Sequence, residues 1–161
     1  MPNRKTHTAV GAATGAAFAF YRAKDQTPNN LLTEALGGLL GGCLGGRLPD
    51  ILEPAVSSWH RDTAHSLAVG GAIISTRNRL SELETGCREN AERCRAIRMV
   101  RQGNGFVPAP RGSLSEFLSE MQELLWRLLA GFLNGLAAGY LSHLALDAAS
   151  PRSIPLLTSR S

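Results

Sequence analysis

The chain is short of the residues from which most interiors are built. Only 6% of its 161 residues are aromatic. Its three cysteines (Cys43, Cys87, Cys94) are odd in number and form no Cys-x-x-Cys pair. That argues against a disulfide framework and against an all-cysteine zinc site; Cys43, in an apolar run, reads as a small core residue. No clean apolar run reaches the ~20 residues that a spanning helix needs. Residues 31–48 are interrupted by Glu34 and Arg47, and residues 128–141 are bounded by Arg127 and His143. Both stretches read as buried helices, with peripheral membrane contact left open. The basic start is followed by an Ala/Gly-rich stretch, so no cleavable signal peptide is expected. No strand signal stands out either.

Charge is scarce outside one segment. Residues 76–112 hold eight arginines against four glutamates, which accounts for the formal net charge of +4. Such a segment fits an anionic partner, either phospholipid headgroups or nucleic acid, or else a solvated helix face.

What the chain has in excess is glycine, 17 residues of it. Length gives a single domain, 1–161, with the Arg-rich stretch as a charged helical insert. Periodicity predicts helices over about 6–24, 31–48, 62–74 (continuing into the charged segment) and 113–149. Pro49 and Pro151 act as stops, and residues 50–60 and 103–112 are expected to be connectors. Ser113 with Glu116 forms a capping-box pattern. The fold class is therefore all-α, a bundle of about four to five helices. Glycines recur four residues apart: 11 and 15; 37, 41 and 45 beside 38, 42 and 46; and 131, 135 and 139. Each glycine costs about 1 kcal/mol relative to alanine within a helix, so such rows imply close backbone approach. The same rows could pack within one chain or join two copies in a homo-oligomer.

These rows run into polar residues. His7 precedes Gly11, Asp50 follows Gly46, and His143 and Asp147 follow Gly139 at the same step. The chain has only four histidines, and the other two, His60 and His65, bracket a six-residue run. Nitrogen and oxygen donors so concentrated are what a zinc-like ion requires. Asp62 reads as a helix N-cap. Arg61 reads either as a phosphate clamp or as a surface residue.

Four short blocks then carry a resemblance. They are Thr6-His7 with Gly11, Leu48-Pro49-Asp50, His60-Arg61-x-x-x-His65, and Gly139-Tyr140-Leu141-Ser142-His143-x-x-x-Asp147 followed by Ser150-Pro151. In order and spacing this pattern resembles the bacterial inner-membrane metal-dependent hydrolases (YdjM-like), distantly similar to the zinc-dependent phospholipase C and single-strand nuclease superfamily. Leu52 stands where that family usually has a second acid, and Asp62 where it has glycine. The resemblance implies a helical bundle holding one or more zinc ions through His7, Asp50, His60, His65, His143 and Asp147. It implies location at the bacterial inner membrane or its cytoplasmic face. The expected activity is hydrolysis of a phosphoester, most simply a phospholipid, by metal-activated water. Asp50 and His65 would serve the reaction, and Arg61 would steady the anionic substrate. Two alternatives belong to other classes: a non-catalytic membrane- or partner-binding protein with a structural metal site, and a metal-dependent nuclease.

Overall fold

Small and polar residues, rather than large apolar ones, decide how this chain packs. The computed structural model describes residues 4–52, 75, 77–102, 105–108 and 113–149. Five helices and one hairpin occur among them: α1 (Arg4–Arg22), α2 (Pro28–Gly45), α3 (Leu48–Leu52), α4 (Arg77–Ile97), β1 (Met99–Gln102), β2 (Gly105–Pro108) and α5 (Leu114–Ala148). The protein is an all-α helical bundle.

Three of the helices, α1, α2 and α5, turn inward a row of residues four apart. In α1 the row is His7, Gly11, Gly15 and Ala19. In α2 it is doubled, with Glu34, Gly38 and Gly42 beside Gly37, Gly41 and Gly45. In α5 eight positions at successive four-residue steps are buried: Ser119, Glu123, Arg127, Gly131, Gly135, Gly139, His143 and Asp147. Rows at this spacing are the ridges by which helices interlock, and glycine within them lets main chain meet main chain. Gly42 shows how close the approach is. A Cβ there would overlap the Gly11 carbonyl oxygen and lie 3.0 Å from the Gly15 Cα. Pairing rises together along α2 and α5, with Gly37 against Leu128, Gly41 against Phe132 and Gly45 against Leu136. These two helices are therefore parallel. Gly11 faces Gly42 and Gly46 whereas Gly15 faces Gly38, so α1 is antiparallel to both. The glycine rows are thus consumed within one chain.

The outer surface is the inverse of the interior. Phe18, Phe20, Leu32, Leu36, Leu39, Leu40, Leu44 and Leu129 are exposed, while Glu34, Arg127 and His143 are among the most completely buried side chains. Scattered exposed leucines are ordinary, but a bundle that hides its charges and shows its leucines is not. Helix α5 is long and apolar enough to cross a membrane. The expectation of no spanning helix counted only the apolar residues 128–141 of this helix, bounded by Arg127 and His143, and not the flanking turns that lengthen it.

Boundaries shift for local reasons. Helix α2 begins at Pro28, where a missing N–H costs nothing. It ends at Gly45, and after a turn Leu48 and Pro49 open α3. Proline is tolerated in a first turn, so Leu48–Leu52 is helical where a connector was expected from residue 50. The N-cap at Ser113 is present: the Glu116 N–H donates to Ser113 Oγ at 3.2 Å. The strands are a correction. Met99–Gln102 and Gly105–Pro108 pair antiparallel, with Gln102 opposite Gly105, inside what was read as helix end and loop. Cys43 is half-buried rather than a core residue; Cys87 and Cys94 are buried. The helix expected over 62–74 lies outside the described residues.

Helix α4 packs against the first half of α5. Its contacts run in opposite order, Glu92 to Arg127 and Arg98 to Glu123, so the two are antiparallel. Together with the hairpin they form an extension beyond the glycine-packed part of the bundle.

Candidate metal centre

The helix ends bring donors together. The start of α1, the end of α2 and the end of α5 meet at one end of the bundle. His7, His143 and Asp147 are all buried there, with ligand atoms within 4.8 Å of one another. The imidazoles of His7 and His143 stack, with ring centroids 3.8 Å apart. Asp147 serves both rings: Oδ1 lies 3.3 Å from His7 Nε2 and Oδ2 lies 3.2 Å from His143 Nε2. Asp50, carried on α3, places Oδ1 3.8 Å from His143 Nε2 and keeps 31% of its side chain exposed.

The proton on His143 follows from its other nitrogen. Nδ1 lies 2.8 Å from the Gly46 carbonyl oxygen. A carbonyl only accepts, so Nδ1 carries the hydrogen and donates it. In the neutral ring Nε2 then presents a lone pair, and that lone pair faces two carboxylates. Acceptor against acceptor is repulsive unless a positive species sits between them. That species is either a proton on the ring or a bound cation. His7, His143 and Asp147 offer neutral and anionic donors of the types a zinc-like ion takes, with Asp50 beside His143. Bonds of about 2.0–2.1 Å to such an ion separate neighbouring ligand atoms by roughly 3.4 Å in a tetrahedron. The two histidines lie near that separation from Asp147, at 3.3 Å to Oδ1 and 3.2 Å to Oδ2. A backbone carbonyl that accepts from the far nitrogen and so orients the ring is a usual companion of histidines that hold metals.

Of the six ligands anticipated, the structure brings together His7, Asp50, His143 and Asp147. His60 and His65, together with Arg61, lie outside the described residues. The surroundings of the site are basic: Arg4, Lys5 and Arg47 are exposed nearby in sequence on α1 and at the end of α2.

Sequence reasoning missed a second polar cluster, at the opposite end of the bundle. Glu34 is fully buried. It accepts from Arg88 (2.6 Å) and from Arg127 (3.2 Å). Glu84 accepts from Arg22 (2.6 Å) and Arg88 (2.9 Å). Arg127 also reaches Glu92 and, at 3.0 Å, Gln26. Three guanidinium groups thus meet three carboxylates, and the cluster is neutral. Burial alone would push the Arg88 guanidinium down. The hydrogen bonds that Arg88 donates to Glu34, the charge of Glu34 and that of Glu84 outweigh burial and hold Arg88 above its ordinary range. Two of the eight arginines of the charged segment, Arg88 and Arg98, therefore turn inward, while Arg79, Arg93 and Arg95 are exposed. The signal in the sequence was Glu34 and Arg127 themselves, single charges set in otherwise apolar helices.

No family model, curated protein or solved structure matches this chain.

Proposed function

We propose that the protein is a membrane-embedded, divalent-metal-dependent hydrolase of phosphoesters, with a phospholipid as the simplest substrate. One observation carries the reading: His7, His143 and Asp147 form a buried group whose ligand atoms lie within 4.8 Å of one another and could hold a cation, with Asp50 beside His143. His7, His143 and Asp147 would hold the ion, with Asp50 and the anticipated His60 and His65 completing its shell. When bound, such an ion lowers the pKa of a coordinated water toward about 7 and neutralises charge on a phosphoryl oxygen. The chain's own residues do the rest. Stacking and the Gly46 carbonyl orient His143, and Asp147 bridges the two rings. Asp50, the less buried acid of the set, would take a proton from the attacking water. Arg4, Lys5 and Arg47 favour an anionic substrate at this end.

The inverted distribution of residues supports membrane embedding. In lipid, helices gain little from burying leucine and associate instead through small residues and polar contacts. Ionisable groups there face the bundle interior and mark functional sites. Both patterns are present. The resemblance to inner-membrane metal-dependent hydrolases points the same way.

The test is metal content of the purified full chain, followed by turnover. About one or more equivalents of zinc-type ion should copurify, and His143→Ala and Asp147→Asn should lose metal and phosphodiester turnover together. Absence of metal, with thermal stability unchanged by chelator, would sink the centre. Metal without turnover of any phospholipid or generic phosphodiester would leave a structural metal site in a binding protein. Cleavage of an oligonucleotide but not of lipid would assign a nuclease.

A further inference from the structure

The face of α5 that packs on α2 along its second half continues, along its first half, as an apolar stripe that no other described helix covers. Leu114, Phe117, Leu118, Met121, Leu124 and Leu125 are 41–73% exposed. They lie opposite the face that carries Ser119, Glu123 and Arg127 toward α4. Where the chain's own helices cover α5 the row is glycine; where none of the described residues does, it is leucine, phenylalanine and methionine. The spacing of Leu114, Phe117, Met121, Leu124 and Leu128 alternates three and four residues, which is the a/d seam of a two-stranded coiled coil.

We propose that this stripe is the contact between two copies of the chain, paired in parallel about a twofold axis. Helix length first argues against lipid as the occupant. Residues 128–148 pack beside α1 and α2 and measure about 31 Å, enough for the ~30 Å hydrocarbon core. Arg127, bonded to Gln26 in the α1–α2 loop, marks the edge of that region. The remaining turns of α5, roughly 20 Å, continue past it as one helix and so stand clear of the bilayer. Their back is covered by α4, whose exposed Arg79, Glu82, Glu89, Arg93 and Arg95 belong in water. A leucine stripe in water needs a protein partner. Membrane insertion gives every copy the same orientation, so two α5 helices meet in parallel, the arrangement an a/d heptad seam favours. The stripe exposes on the order of 700 Å², close to the ~800 Å² per partner of a standard interface. The parallel orientation rests on the membrane reading above; the stripe and its spacing do not.

The experiment uses the full chain. Light scattering in detergent should give a dimer mass for the wild type and a monomer mass for Met121→Glu/Leu124→Glu, with metal content unchanged. In a Cys43→Ser background in vesicles, Leu124→Cys should oxidise to a disulfide dimer several-fold more than Ser115→Cys, which lies off the seam. A monomeric wild type, a double variant that stays dimeric, or equal cross-linking at 115 and 124 overturns the proposal. So does a monomer whose Leu124→Cys thiol resists a water-soluble maleimide, because lipid or another part of the chain then covers the stripe. Alkaline carbonate extraction reads the membrane assignment separately. A protein released by carbonate that still cross-links at 124 loses the first reading and keeps the second.

Discussion

Replacing Gly42 by alanine isolates what the glycine rows do. The added Cβ would overlap the Gly11 carbonyl oxygen and stand 2.9 Å from its carbon and 3.0 Å from the Gly15 Cα. All three are main-chain atoms and cannot rotate away. Restoring ordinary contact distances requires α1 and α2 to part by roughly 1 Å, which loosens every close contact between them. Overpacking of this kind costs about 1–3 kcal/mol, and the better helix propensity of alanine returns up to about 1 kcal/mol. The net expectation is a loss of about 1–2 kcal/mol. Gly86→Ala is the matched control, because a Cβ there meets nothing within 4 Å. It should stabilise by up to about 1 kcal/mol. For a chain of this length 1 kcal/mol moves Tm by about 2–4 °C, so thermal unfolding in detergent should separate the two variants by several degrees in opposite directions. The metal centre gives a second readout. His7 rides on α1 while His143 is tied to the end of α2, so parting the helices moves His7 away from Asp147. Zinc competition should therefore show weaker binding in Gly42→Ala and none of that loss in Gly86→Ala. A Gly42→Ala protein as stable as the wild type, with unchanged metal affinity, would refute the argument.

Three further expectations follow from the second cluster and the cap. Glu34→Ala strands the Arg88 and Arg127 guanidinium groups and should cost about 3–5 kcal/mol in denaturant unfolding; Glu34→Leu with Arg127→Leu should recover part of that, and a single variant costing under 1 kcal/mol would show the cluster to be solvated. Burial, then the charges of Glu84 and Glu34, raises the Cys87 thiol above its ordinary value of 9.0. The thiol form is thus favoured by folding, so this contribution is complete below pH 9 and is lost as pH climbs through the raised value; alkylation at pH 8.5 should be slower at Cys87 than at half-buried Cys43. Ser113→Ala removes the bond to the Glu116 N–H and should cost about 1 kcal/mol by thermal unfolding, with metal content intact.

The sequence disclosed the fold where a pattern was local. Four-residue spacing of glycine was enough to bring three helices together and to carry His7, His143 and Asp147 to one end. It did not disclose Glu34 with Arg127, because a pair 93 residues apart needs the parallel register of α2 and α5, which only packing sets. Asp50 was visible as a donor, but its reach depended on whether Pro49 ended a helix or began one; it begins one. The hairpin escaped because Gly103-Asn104 between Val100 and Phe106 is a turn signal set in an arginine-rich context that read as helix end and loop.

The carbonyl of Gly46 has a consequence of its own. It belongs to the end of α2, where helix carbonyls lack partners within the helix, and it fixes which nitrogen of His143 bears hydrogen. A main-chain oxygen has no codon. Side-chain scanning can delete every other participant in the centre but leaves this one in place. Its influence would surface only through changes that move the helix end, and in a table of variants these would be filed under folding.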